Sequence, residues 1–346
     1  MLRLPRLLAA TASVFAIGSI AVAAQAGDKE VSRQVSFGGS CVKCELSGRN
    51  LSGARIIGAN FSGATMVGAV LRDAKLHASV FVGADMTKAD LSDAAMTGAN
   101  FSGANLTSAR LRSTEANGVV FGSANLTRAD LSDAEATGAM FGRAILTNAI
   151  MNSATLRGVV FELANLDHAS LNDISAAGAN FTRAHMNGTT LKSAELQGAN
   201  FGRVDANGAS FQDADLTGAI LAGGDFSHAS FRSADLTGAN LTGASFDGAD
   251  FRDADIAHTT LVGVDLSGAR GLTQNQVDEA CADTRTKLPR GLTGRGCAGG
   301  VRWIMHHEPM QTTIRMVPAV PAVPAMAATP APPALPSPRY FTSIYR

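Results

Sequence analysis

Ala99-Asn100-Phe101-Ser102-Gly103 decides how this chain reads, because the same figure returns as Ala124-Asn125-Leu126-Thr127-Arg128 and as Ala239-Asn240-Leu241-Thr242-Gly243. Each quintet offers a small residue, Asn or Asp, a large apolar centre, a small polar residue, and then Gly or a polar residue. Every fifth position from Leu46 to Leu266 is apolar without an insertion, which makes 45 consecutive units. Five is neither the 3.6 of a helix nor the 2 of a strand. The backbone must therefore turn at short, regular intervals to return the same side chain inward.

A second period sets the size of the coil. Phe61, Phe81, Phe101, Phe121, Phe141, Phe161, Phe181 and Phe201 lie 20 residues apart, as four five-residue sides per turn require. A three-sided β-helix built on hexapeptides would repeat at about 18, and a leucine-rich repeat has no inner period of five. The pattern predicts an all-β, four-sided parallel solenoid of about 11 coils. The second inward position, from Ala54 to Ala269, is Ala in 34 of 44 units. A narrow tube leaves room for little else beside a Phe or Leu. Where a centre is itself small (Ala116, Ala136, Ala176), the next corner is a Phe of the column. A dry, filled core with no ligand cavity is expected.

The quintets resemble the pentapeptide-repeat family, and the resemblance covers about two thirds of the chain. It implies a right-handed quadrilateral parallel β-helix. The best-understood members of that family are acidic rods that imitate DNA and bind a type II topoisomerase.

Outside the repeat the chain changes character twice. Arg3 and Arg6 precede a charge-free run from Leu7 to Ala24, and Ala24-Gln25-Ala26 supplies a small-x-small step. Residues 1-26 read as a secretory signal peptide, with an uncleaved anchor as the alternative, and 27-40 as a polar lead-in. The mature protein is expected in the periplasm or outside the cell, without membrane insertion after cleavage. The repeat region, 41-270, opens on Cys41-Val42-Lys43-Cys44, whose thiols the five-residue phase points into the first coil. A C-x-x-C step suits a redox site, half a zinc site or a structural bridge. Eleven coils at roughly 4.8 Å span about 50 Å, which separates this pair from Cys281 and Cys297. The expected bridges are Cys41 with Cys44 and Cys281 with Cys297.

Residues 271-299 form a closing segment that resembles the ends of exported pentapeptide-repeat proteins. Thr273 with Gln276 predicts a capping box, opening a helix from Gln274 to about Ala282 with Val277 and Cys281 on one face. Such a cap covers strand edges that would otherwise pair with another molecule. Residues 300-346 hold eight of the eleven prolines between Pro318 and Pro338. They read as a Pro/Ala-rich disordered tail.

The totals of 29 basic and 29 acidic residues conceal an asymmetry. The span 45-270 carries 16 Lys and Arg against 23 Asp and Glu, a net charge of −7, whereas 271-346 carries 8 against 4, a net charge of +4. The outward column Asp73, Asp93, Ser113, Asp133, Ser153 and onward to Asp253 mixes Asp with Ser, and Arg112, Lys192 and Arg232 stand beside its serines. A mixed, solvated surface is expected rather than an acidic stripe. His77, His168, His185, His228 and His258 are dispersed, so no metal, cofactor or catalytic group is assigned. The pattern favours a non-enzymatic scaffold of the bacterial envelope that presents flat faces to an unknown protein or envelope polymer. A DNA-mimicking rod that binds a type II topoisomerase is the alternative; nucleic acid itself is not an expected partner. The mature chain is expected to begin at Gly27. N-terminal sequencing of protein from the envelope fraction checks this, and a cytoplasmic product retaining Met1 to Ala26 would reverse the localisation.

Overall fold

A computed structural model describes residues 39–296, which lie within the first of the two units, Met1–Met305 and His306–Arg346, into which the chain divides. The expected signal segment 1-26, most of the expected 27-40 lead-in, Cys297 and the expected 300-346 tail lie outside the described residues. Outside the turns, the described residues form their backbone hydrogen bonds almost entirely with residues about 20 positions away. Parallel bridges run Ser40 to Asn60, Glu45 to Thr65, Asn50 to Val70 and Arg55 to Lys75, and each of the four columns repeats in steps of 20. The bridged residue is always the one before the apolar centre. The columns therefore define four sides of a parallel β-helix, with the apolar centres stacked inside.

Each quintet closes on the same bonds. The Phe61 N–H donates to the Val80 carbonyl at 2.7 Å, the Gly63 N–H to the Val82 carbonyl at 2.9 Å, and the Val80 N–H to the Ala59 carbonyl at 2.8 Å. The corner is a turn in which the Ala64 N–H donates to the Phe61 carbonyl at 3.0 Å. Its third residue is left-handed, with φ of +64° at Gly63, as in a type II turn. The Asn or Asp of the pattern serves the same turn. Asn60 Oδ1 accepts from the Ser62 N–H at 2.9 Å and from the Ser62 hydroxyl at 2.6 Å, and Asn100 with Ser102 and Asn240 with Thr242 repeat the arrangement. This local bond is the physical reason for the order Asn, apolar, Ser or Thr in the sequence.

The core is a stack of side chains with little variation in kind. Phe61 to Phe201 form one ladder, with successive centroids 4.7–5.3 Å apart and ring planes within 22° of parallel. After Phe201 the ladder changes sides: Phe211 meets it edge-on at 5.5 Å. From there Phe211, Phe231 and Phe251 stack on one side, and Phe226 and Phe246 on a neighbouring one. Gly224 stands where an inward Ala would otherwise be, because a Cβ there would lie 2.6 Å from Phe226 Cε2 and 3.2 Å from Val204 Cγ1. Where the inward residue is polar it is satisfied by the backbone. The Ser79 hydroxyl donates to the Ile56 carbonyl at 2.6 Å and the Thr189 hydroxyl to the Leu166 carbonyl at 2.8 Å.

At the far end the register slips. Thr260 bridges Cys281 and Asp265 bridges Lys287, offsets of 21 and 22 residues. A single helix, α1 (Gln274–Glu279), takes up the extra length, with the Thr273 and Gln276 capping box in place and Val277 buried. The helix is shorter than the sequence suggests. The Cys281 N–H donates to the Thr259 carbonyl at 2.9 Å, so the pull of the last strand rung ends α1 before Cys281 can share a face with Val277. Cys41 and Cys44 are disulfide-bonded across the first turn of the rod. Cys281 is also disulfide-bonded, and its expected partner, Cys297, falls outside the described residues.

Carboxylates fasten this end. Lys287 Nζ lies 2.8 Å from Asp265 Oδ2, and that bond, with those from Ser267, pulls the Asp265 carboxyl from 3.8 to about 2. Arg252 donates to Asp250 and holds its carboxyl at about 2 as well.

Two measurements follow. Phe141→Ala should cost about 3–5 kcal/mol, since the coils on either side cannot close the gap. Gly224→Ala should cost about 1–3 kcal/mol by overpacking against Phe226, whereas the exposed Asp133→Ser should cost well under ~1 kcal/mol. Denaturant melts check these values, and equal losses at Phe141 and Asp133 would contradict the inward phase. The second measurement is pH. Asp250 and Asp265 have folded values below the ordinary one, so their stabilisation is present above pH 3.8 and lost as pH falls towards about 2. The denaturant midpoint should drop across that interval, and Asp250→Asn with Asp265→Asn should flatten the drop.

Candidate functional site

Only the outside of the rod is available for chemistry or recognition, and its four sides differ. Side 1 is the column from Ser40 to Thr260, side 2 begins at Glu45, side 3 at Asn50 and side 4 at Arg55. Each side shows three outward residues per rung: the bridged residue and the second and third residues of the turn.

Side 4 carries the densest acidic column, which follows Arg55, Lys75 and Ala95 of its first rungs. Its bridged column reads Glu115, Glu135, Thr155, Ser175, Glu195, Asp215, Asp235, Asp255, six acidic residues in eight rungs. Neighbours stand one strand spacing apart, about 4.8 Å. Arg157, bonded through Nε to Ser175 Oγ at 3.1 Å, interrupts it. Burial opposes ionisation of Asp215, but bonds from Thr217 and from Gln197 outweigh it and hold the carboxyl below 3.8. The third turn position along this side is Gly at every rung from Gly98 to Gly238, and a Cβ at any of these would meet nothing within 4 Å. Elsewhere on the rod, 24 residues other than Gly adopt the same left-handed conformation. This corner is thus a smooth edge beside an acidic column.

This corrects the expectation of a mixed surface. The sequence reading followed Asp73 to Asp253, which occupy the left-handed turn position of side 3 with φ of +53° to +60°. That column is indeed mixed, and the arginines beside it pair with acids of side 3 in neighbouring rungs. Arg72 Nε is 2.7 Å from Asp90 and Arg110 is 3.6 Å from it, while Arg112 reaches Asp133 in the next rung at 3.3 Å rather than resting beside Ser113. The acidic stripe sits on another side, one residue before the apolar centre. Counting in steps of 20 from Glu115 would have found it.

Side 2 combines acids with histidines over its C-terminal rungs. His185 Nδ1 lies 3.6 Å from Asp205 Oδ2. His168 and His228 lie over Gly188 and Gly248, where a Cβ would fall 2.7 Å and 2.5 Å from their Nδ1 atoms. His77 and His258 are on side 4, so the histidines are spread over two sides. Among the described residues no group of three His, Cys, Asp or Glu is placed to hold a metal ion. No helix among the described residues is long and apolar enough to cross a membrane. Between Val80 and Ile220 side 1 carries four charges, Arg143, Glu162, Arg183 and Arg203, and holds Val82, Met140, Leu163 and Ile220 exposed.

Comparison with known proteins agrees with this geometry. The family model described as "Pentapeptide repeats" matches residues 44–81, 84–122, 124–162, 161–201, 194–232 and 229–268. The chain is similar to the crystal structure of HetL, a pentapeptide repeat protein involved in heterocyst differentiation regulation from the cyanobacterium Nostoc sp. strain PCC 7120. That likeness has 29% identity over 65% of this chain and 91% of that one, with a TM-score of 0.30. It is similar to QnrB1, a plasmid-mediated fluoroquinolone resistance protein, at 19% identity over 71% of this chain and 94% of that one, with a TM-score of 0.23. A pentapeptide repeat protein of the Arabidopsis thaliana thylakoid lumen shares 30% identity over 35% of this chain and 70% of that one, with a TM-score of 0.14. No curated protein sequence matches the chain. The family assignment rests on the matched repeats, which cover well over half of the chain in one unbroken register, and on that ground the protein belongs to the pentapeptide repeat family.

Proposed function

We propose that the protein is a non-enzymatic interaction scaffold of the bacterial cell envelope, exported by residues 1-26 and presenting flat β-helix faces to a protein or an envelope polymer. The finer architecture belongs to the same proposal: a right-handed quadrilateral helix of about 11 coils, closed by the 271-299 cap. The observation that carries it is the constancy of the surface. Four columns keep one 20-residue register from Ser40 to Arg270, so the rod offers long rows of side chains at a fixed spacing. The interior is given over to stacked rings and alanines that are almost wholly buried, which favours contact along the outside over a small-molecule site.

A second reading has its own support. The acidic column of side 4, broken at Thr155 and Ser175, supplies a negative row of the kind that a DNA-mimicking rod would present to a type II topoisomerase. Export would keep the two apart. Affinity capture from envelope fractions, with and without residues 300-346, run beside a supercoiling assay at micromolar protein, separates the two readings. The scaffold reading expects an envelope component captured and no loss of supercoiling; strong inhibition with nothing captured would replace it with mimicry.

A further inference from the structure

Side 1 reads almost the same in both directions. From Val80 its bridged column runs Val80, Asn100, Val120, Met140 and then Val160, Asn180, Asn200, Ile220. Folded about the point between Met140 and Val160, this column sets Met140 against Val160, Asn100 against Asn200 and Val80 against Ile220. Only Val120 with Asn180 is a mixed pair. The next column behaves as a set of bumps and hollows. Val82 falls opposite Ala222, Thr182 opposite Gly122, and Glu162 opposite Gly142.

We propose that side 1 is the contact face of a homodimer, in which a second copy of this chain packs antiparallel about a two-fold axis crossing the face between the rungs of Met140 and Val160. Such an isologous contact demands self-complementarity, and a palindromic face supplies it. The two-fold keeps each column opposite itself, so Glu162 and Thr182 meet glycines and Asn100 meets Asn200, while in the third column Arg203 falls opposite Gly103, Arg183 opposite Ser123 and Arg143 opposite Leu163.

Charge and exposure support the same occupant. Glu162 is the one acidic outward residue on side 1 between Val80 and Ile220. In the antiparallel register it faces Gly142 of the second copy, directly beside that copy's Arg143. Neither Glu162 nor Arg143 has an ion pair within the chain among the described residues. The two-fold would form the pair twice. Met140 is 52% exposed at the centre of the face and Leu163 is 38% exposed beside it. Eight rungs at ~4.8 Å and five residues at ~3.3 Å give roughly 600 Å² per copy. The total of roughly 1,200 Å² reaches the size of a specific interface.

The test uses the full exported chain. Sedimentation velocity at micromolar protein should give twice the mass of one chain. Met140→Arg and Glu162→Arg should each reduce it to the monomer with unchanged denaturant melts. Arg143→Glu combined with Glu162→Arg should restore the dimer, a rescue that mere damage to the fold would not show. Chains with Asn100→Cys mixed with chains with Asn200→Cys should cross-link to each other through a short bismaleimide, and neither with itself. A monomeric wild type overturns the proposal. So does a dimer that survives Met140→Arg, a cross-link of position 100 to position 100, or a monomer that instead seats on phosphatidylcholine vesicles.

Discussion

The structure depends on one constraint: nearly every backbone hydrogen bond outside the turns is made to a residue about 20 positions away. No quintet can satisfy its own polar groups, and no coil can bury its own apolar centre. Order therefore comes from repetition. The centre must be apolar at every fifth position because it faces the same tube, and the second inward residue must be small because two inward side chains share each short side. The turn adds a local condition. An Asn or Asp before the centre and a hydroxyl after it bind each other and the turn backbone, so the corner forms with the same geometry on every side.

The same constraint moves all individuality to the surface. Inside, one ring stacks on the next at 4.7–5.3 Å along the first ladder. Outside, the four sides diverge into an acidic side with a smooth glycine edge, a side of acids and histidines, a side of paired charges and an apolar side. Because each side is a straight column, a substitution changes one point in a lattice of fixed spacing and leaves the others where they were. That arrangement lays its groups out along a line, and among the described residues no three His, Cys, Asp or Glu are placed to hold a metal ion.

The fold was legible in the sequence because a period of five has few physical solutions and the Phe spacing of 20 leaves four sides. The eight-ring ladder followed from the same count. The later rings did not. Phe211, Phe226, Phe231, Phe246 and Phe251 occupy centres on two other sides, and only the bridging register shows that Phe201 hands over to Phe211 edge-on. The acidic side was missed for a similar reason. Asp73 and Asp93 sit at the left-handed corner, whereas the acidic column is made of bridged residues such as Glu115 and Glu135, a position that a column count at the corner does not sample. The end of α1 could not be read locally either. A capping box marks where a helix starts, but Glu279 is its last residue because Cys281 is drawn into a rung with Thr260, a contact 21 positions distant.

The handover of the Phe ladder bears on how such a gene can change length. Loss or duplication of any 20-residue block rejoins every side to itself, so the backbone register survives wherever the block is cut. The core tolerates this unequally. Between Phe61 and Phe201 each coil offers the same ring at the same corner, and a lost or duplicated coil leaves ring on ring. Across the stretch from Phe201 to Phe226, where Gly224 makes room for a ring from the neighbouring side, the coils are not interchangeable. Recombination among the earlier coils is then close to silent for the core, though it would displace the centre of side 1's palindrome, and the junction is the segment whose copy number the packing holds at one.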